Sequence, residues 1–422
     1  MMLALSFIAL AMIGEVNIVG RLTGAEVILA LCACIALVRC PRSSGEIARF
    51  YTFASLWLLA AVMADMYNGS EFNDFSRGWA KIGFLIVNFT ALRWLIGKDR
   101  DRAVALVFLL SIAMAARLAL GVAGDVDNNL GEDVFGNAWK FGYGTLVSMS
   151  ALLVSAWLLH SSWSRPVAVS IPFGAAAVAL LLNARNLTGI TALAALTSLL
   201  TAGRRRTLTL PHLFAIGATA ALAGLLIVNA YQYAASEGLL GHDAQDKYRA
   251  QGEADVGLLV GGRSELLASV PAIIDSPLLG HGSWARDIKY ALLYLTEREK
   301  AGLAVTGLIS DHIPTHSHLL GAWVEHGFLG AAFWIWALFV TGKGLITAIQ
   351  KPTPLTGFIV FIGIGLLWDI PFSPFGLERR VLVPAMLYLM ILVAEQPTAA
   401  PTPARARGQR QPLRLHSPRA QE

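Results

Sequence analysis

The sequence predicts an all-α, polytopic membrane protein with about twelve transmembrane helices and one long loop that carries short helices of its own. Three observations carry that expectation. Hydrophobic residues make up 55% of the 422-residue chain and charged residues only 14%, where soluble domains hold closer to a quarter charged. Apolar runs recur to about residue 395, many of them approaching the ~20 residues that cross a hydrocarbon core. Successive connections between these runs alternate between basic and cation-poor, as the positive-inside rule requires of a chain threading a bilayer.

Helices are expected at 3–19, 25–39, 50–67, 77–97, 103–123, 141–160, 167–183, 187–202, 211–230, 317–341, 355–371 and 380–395. The first, from Leu3 to about Val19, has no basic residue before it and no small-residue cleavage site, so it reads as a retained helix weakened by Glu15 and Asn17. The pair 167–183 and 187–202 reads as two helices or one broken hairpin. Cys32, Cys34 and Cys40 fall in or just after one apolar segment and read as buried apolar residues rather than as metal ligands or a disulfide.

One set of connections holds Arg39, Arg42 and Arg49; Lys98, Arg100 and Arg102; Arg165; Arg204, Arg205 and Arg206; and Lys343 and Lys351. The opposite set is acidic at Glu71 and Asp74, and again at Asp125, Asp127, Glu132 and Asp133. Both termini are therefore expected in the cytoplasm, with the protein in a bacterial inner membrane. The chain divides into residues 1–230 with helices one to nine, a periplasmic loop at 231–316, helices ten to twelve at 317–395, and a basic, disordered cytoplasmic tail at 396–422. A net charge of +5 spread over short loops and the tail excludes the continuous basic groove of a nucleic-acid binder. Two stretches of the long loop look helical, Arg263–Asp275 and Trp284–Lys300, and a loop of that length usually has a function.

Several residues there could carry chemistry. Arg185, in LLNARNLTGIT, is either a snorkelling loop residue or an anion ligand at membrane depth. Arg263 opens GGRSELLASVPAIIDSPLLGHG, where a cation at a helix start is mildly unfavourable unless it meets an anion. Pro277, Gly280 and Gly282 then shape a tight turn. Asp311, His312, His316 and His318 form the densest polar cluster, readable as a proton-transfer site, a zinc site or an interfacial polar collar. Glu325, followed by Gly327 and Gly330, needs an arginine or histidine partner if it is buried. Arg77, Lys81, Arg117, Arg379, Arg380, Asp65 and Asp369 lie toward the same outer helix ends and could line a charged cavity there.

The stretch HSHLLGAWVEHGFLG, beginning at His316, resembles the histidine-led helix start of the O-antigen ligase and polymerase superfamily, with Leu320, Glu325 and Gly327 at the pattern's positions. GRSELLASVPAIIDSPLLGHG resembles its arginine-led motif through Arg263, Pro277, Gly280 and Gly282, and ARNLTGITALAAL resembles an earlier motif through Arg185. The chain departs from the pattern at Ser317, where members often have Asn, and at Asn186. The resemblance implies an inverting, metal-independent membrane glycosyltransferase that needs no cofactor. Its donor is an undecaprenyl-diphosphate-linked glycan, the polyprenyl chain lying in membrane lipid. It implies His316 as the base, Arg185 and Arg263 on the diphosphate, and Glu325 and His318 in support. The expected acceptor is lipid A-core, as in a ligase. A lipid-linked glycan acceptor, as in an O-antigen, capsule or exopolysaccharide polymerase, is the alternative; protein O-glycosylation is a third outcome, and transport of an anionic lipid or glycan is the reading from another class.

Overall fold

A computed structural model describes residues 1–17, 20–39, 45–122, 138–161, 164–202, 264–300 and 311–396, with scattered positions between 211 and 245. The apolar runs fold as α-helices: α1 (Met2–Ala11), α2 (Gly24–Arg39), α3 (Gly45–Asn68), α4 (Phe72–Ile96) and α5 (Arg100–Ala119). A π turn at Trp139–Tyr143 leads into α6 (Gly144–His160), followed by α7 (Arg165–Leu181) and α8 (Arg185–Thr201). Two shorter helices, α9 (Leu266–Asp275) and α10 (Ile288–Lys300), precede α11 (His318–Gln350), α12 (Thr356–Phe372) and α13 (Arg379–Ala394). Most of the expected helix 211–230, and residues 246–263 and 301–310 of the long loop, lie outside the described residues.

Four helices, α3, α4, α5 and α11, are long and apolar enough to cross a membrane. Helices α6, α7, α8 and α12 have 17 residues each, which at 1.5 Å per residue covers about 25 Å. One large core joins these helices, with Phe50 stacked on Phe89 at 3.6 Å between ring centroids and Trp57 packed on Phe333 at 5.3 Å.

The expected helix 3–19 is a misreading. Helix α1 stops at Ala11, and the chain turns into an antiparallel hairpin of β1 (Glu15–Asn17) and β2 (Arg21–Thr23), with Val16 opposite Leu22. Its cause is electrostatic. The buried Arg117 guanidinium of α5 takes the Met12 and Ile13 carbonyls and the Glu15 carboxylate, the last at 2.9 Å. Carbonyls that point at an arginine cannot continue a helical ladder. Helices α7 and α8 form a hairpin of two separate helices whose link includes Asn183 at φ 55. Cys34 is exposed on α2 rather than buried, and Cys32 is half-buried.

Contacts sort the helix termini into two ends. At one end, the Glu46 carboxylate accepts from Lys343 at 2.9 Å and from Trp336 at 3.2 Å, and Glu395 accepts from the Glu46 amide at 2.7 Å. Tyr388 donates to the Gly97 carbonyl and Lys351 to that of Gln396. The other end gathers the α1–α2 hairpin, the α3–α4 turn, α9, α10 and the start of α11. Here Arg380 holds Glu26 at 2.8 Å and the Arg21 carbonyl at 2.6 Å. Every candidate site residue that is described belongs to this second end.

Candidate functional site

Helix α11 builds the site because it is broken. His326 and Gly327 leave helical backbone geometry, Gly327 with φ 65, so Glu325 closes a short first segment instead of lying inside one continuous helix. The break turns the Val324 and Glu325 carbonyls outward, where they accept from the His281 amide at 2.8 Å and the Gly282 amide at 2.9 Å. The turn expected at Pro277–Gly282 is thus docked onto α11 by backbone bonds. Gly280 has φ 80, and a Cβ there would lie 2.6 Å from both the Glu325 carbonyl oxygen and the Gly327 nitrogen. Any side chain at 280 would push the turn off the helix.

A buried polar chain locks the same junction. Trp57 Nε1 donates to His326 Nδ1 at 3.0 Å. Indole nitrogen only donates, so Nδ1 is the bare nitrogen and the ring proton resides on Nε2. His326 Nε2 then donates to Ser283 Oγ at 3.0 Å, and Ser283 Oγ donates to Asp65 Oδ2 at 2.7 Å. Asp65 also accepts from the Ser283 amide, Ser70 Oγ and Trp79 Nε1 at 2.6–2.7 Å. Ser, His and Asp are adjacent here, yet the hydroxyl gives its proton to the carboxylate and receives one from the imidazole. That order is the reverse of a nucleophile being activated, so the chain is a clamp.

Beyond the turn, residues 285–287 pair with 311–313: Ile313 donates its amide to the Ala285 carbonyl at 2.9 Å and Asp287 to that of Asp311 at 2.7 Å. Arg286 grips Asp74 of α4 through Nε at 3.0 Å and approaches Asp311 at 3.7 Å; the hydrogen bond to Asp74 holds its guanidinium above the ordinary arginine range. Lys289 and Tyr290 of α10 bind Asp275 at the end of α9, at 2.6 and 2.5 Å, and hold its carboxyl below the usual range.

The three clustered histidines part company. His318 is 1% exposed, its Nδ1 bonded to the Ser373 carbonyl, its ring against Trp334 and Phe375, and its Nε2 buried without a hydrogen-bond partner. His312 lies beside Asp311, with 3.4 Å between Nδ1 and Oδ1, and meets the Trp284 ring edge-on at 6.3 Å. His316 is exposed. It lines a half-open recess with Ser317 and Leu320 of α11. The other walls are Glu265, Leu266 and Ser269 at α9, and Pro371 and Phe372 at the end of α12. Among the described residues, no three His, Cys, Asp or Glu side chains gather as a metal-binding group.

His316 precedes α11 instead of beginning it, because Ser317 is the N-cap: its Oγ accepts from the Leu320 amide at 3.0 Å and donates to the Ile370 carbonyl at 3.1 Å. Ser and Asn cap helices about equally well, so the departure from Asn keeps the local geometry. The single hydroxyl ties His316 to the end of α12.

Arg185 is the first residue of α8 and half-buried. Helix α8 packs antiparallel to α12, since a Cβ on Gly357 would collide with Ser198; the Arg185 end therefore falls toward Phe372, which lines the recess. Arg263 lies outside the described residues. Its neighbour Ser264 accepts from Arg298 at 2.9 Å, and Glu265, two positions on, reaches the recess. Glu325 finds its partner in Lys81 of α4, at 2.6 Å, rather than in an arginine. His326 stands 3.9 Å away and already serves Trp57.

The expected charged cavity is mostly ion pairs. Arg117 holds Glu15 and Glu378, Arg379 holds Asp369, and Arg380 holds Glu26. Arg77 differs: its guanidinium carbon lies 3.9 Å from the centre of the Trp284 ring, and among the described residues no carboxylate pairs with it. Trp284 has φ 53, left-handed backbone that a bulky residue rarely adopts. Reading the sequence alone missed Glu265, Ser283, Trp284 and His326. For Ser283, Trp284 and His326 the available signal was adjacency to the glycine-bearing turn and to Glu325, and for Glu265 its place two residues after Arg263. No family model matches this chain, and no curated protein matches it.

Proposed function

We propose that the chain is a multi-pass inner-membrane glycosyltransferase that moves a glycan from undecaprenyl diphosphate to an acceptor hydroxyl, as an O-antigen ligase with a lipid A-core acceptor. A polymerase using a lipid-linked glycan acceptor shares the chemistry and is the alternative. In this reading the chain spans the membrane about twelve times, both termini are cytoplasmic, and the His316 end is periplasmic. The observation that carries the proposal is the separation of the histidines: His318 is sealed in the core, while His316 is presented to a recess. Arg185 opens α8, which packs on α12, and Arg263 precedes by two residues a side chain that lines the recess.

The reaction balances without a metal. The acceptor oxygen attacks the anomeric carbon from the face opposite the diphosphate and passes its proton to His316. The bond from that carbon to the phosphate oxygen breaks as the glycosidic bond forms, with inversion. The arginine forks meet the charge on the departing diphosphate.

Protein purified into lipid bilayers, loaded with a lipid-linked glycan and offered each acceptor in turn, tests this. A new glycosidic bond to lipid A-core supports the ligase; chain extension of the donor glycan supports the polymerase. Movement of glycan across the bilayer with no new bond would refute both. Single cysteines at Ala202 and Leu292, in a variant without the native three, should label from opposite sides with an impermeant reagent.

A further inference from the structure

We infer that Arg77, stacked on Trp284, is a second oxyanion subsite, separate from the diphosphate arginines, and that it takes a phosphate or carboxylate of the acceptor. The inference rests on the transferase reading for the word acceptor; the oxyanion subsite itself rests on geometry.

Among the described residues around Arg77, five cations are committed to carboxylates: Lys81 to Glu325, Arg117 to Glu15, Arg286 to Asp74, Arg379 to Asp369 and Arg380 to Glu26. Arg77 instead lays one face of its guanidinium on Trp284. Stacking covers the face and leaves the in-plane N–H edges for an acceptor. It also fixes the side chain in advance, which lowers the ordering cost of binding a planar, two-oxygen partner.

The platform is held firmly. Trp284 follows Ser283, which is clamped to Asp65 and His326, and precedes the strand-like pairing of 285–287 with 311–313. A bulky residue in left-handed backbone persists only where its surroundings over-determine it. Trp284 Nε1 is itself buried with no hydrogen-bond partner, a second donor left unsatisfied beside the stacked cation.

Position assigns the subsite to the acceptor. The Trp284 ring meets His312, and the four-residue run from His312 to His316 spans at most about 14 Å between Cα atoms. One glycan can therefore hold an anionic group at Arg77 while a hydroxyl lies at His316. Phe372 lines the recess from the α12 side, whereas Arg77 lies on α4 against Trp284.

The test uses the full chain in lipid nanodiscs and three probes: phosphorylated lipid A, the same lipid without phosphates, and undecaprenyl diphosphate. Arg77→Gln should weaken phosphorylated lipid A roughly tenfold, the scale of one charge-assisted hydrogen bond. It should leave the other two probes unchanged. Arg77→Lys should fall between, since it keeps the charge without the fork, and it remains informative if the glutamine variant folds poorly. Equal loss for undecaprenyl diphosphate would make Arg77 part of the donor site and overturn the assignment. Unchanged binding of every probe by both variants would leave Arg77 a stacked cation only. Transfer assayed in parallel separates the two readings: phosphate-dependent binding through Arg77 with no glycan transfer in wild type would sink the transferase while sustaining the subsite.

Discussion

The two ends of the helix bundle use charge differently. At the end holding Glu46, one buried carboxylate collects Lys343, Arg49 and Trp336, and Lys343 and Arg49 remain largely exposed. At the His316 end, charges are drawn inward and joined across distant elements: Arg117 of α5 to the α1 hairpin, Asp65 of α3 to the 277–283 turn, Lys81 of α4 to α11. Simple orientation in a membrane needs only cations in loops. Fixing a loop at a defined place on a bundle draws on buried polar groups that partner one another across elements, as Asp65, Ser283 and His326 do. The second end is built to hold a geometry.

That contrast is tested most severely at the histidines. His316→Ala should lower single-turnover transfer at saturating donor by about 10²–10⁴, the usual worth of a general base, while inserting and binding donor normally. His318→Ala should instead reduce the yield of folded protein, because it opens a void among Trp334 and Phe375. A well-folded His318→Ala that cannot transfer, beside a competent His316→Ala, would exchange their roles. Arg185→Ala and Arg263→Ala should each weaken donor binding by roughly tenfold or more and slow turnover as well. Lysine should restore only part of either loss.

Next in size is the difference in stability between the ends. Asp65→Ala strips the acceptor from four donors and should cost on the order of 3 kcal/mol in thermal unfolding, more if the turn detaches. Lys343→Met removes one exposed partner of a carboxylate that keeps two others, and should cost about 1 kcal/mol or less. Equal effects would mean that the His316 end is no more rigidly built than its opposite.

Much of this was legible in the sequence, for reasons that differ by region. Apolar runs dominate α3, α4, α5 and α11, so their existence follows from composition alone. The basic connections marked which termini share an end, and contacts such as Glu46 with Glu395 join termini that those charges had grouped. The 277–282 turn was readable because Pro and Gly constrain backbone locally. What failed was tertiary. Glu15 and Asn17 looked like a weak helix end because Arg117, more than 100 residues away, supplies the reason for a hairpin. The break at His326–Gly327 was hidden inside an apolar run, since the bonds replacing the helical ladder come from residues 281 and 282. Residue type alone did not separate the three histidines, and it was the resemblance that singled out His316; the packing of Trp334 and Phe375 supplies the physical difference by burying His318.

The smallest expected effect concerns the surface clasp between α9 and α10, which positions Glu265 and Ser269 against the recess. The Asp275 carboxyl is held below its ordinary range by hydrogen bonds from Lys289 and Tyr290, and Lys289 is held above its own, chiefly by the bond to Asp275. A depressed acid adds stability above its unfolded pKa and loses it as pH falls through the folded value. A raised base adds stability below its unfolded pKa and loses it as pH climbs through the folded one. The clasp should therefore be constant across neutral pH, loosening only in strong acid or strong base. Hydrogen exchange of the α9 and α10 amides, followed from neutrality into acid, should show protection falling below the ordinary aspartate range. Asp275→Asn should remove that acid dependence, leave catalysis at neutral pH nearly intact, and leave the Glu46 end unaffected. An acid transition in α9 that survives the asparagine substitution would assign the effect to another carboxylate, with Glu265 the nearest one facing the recess.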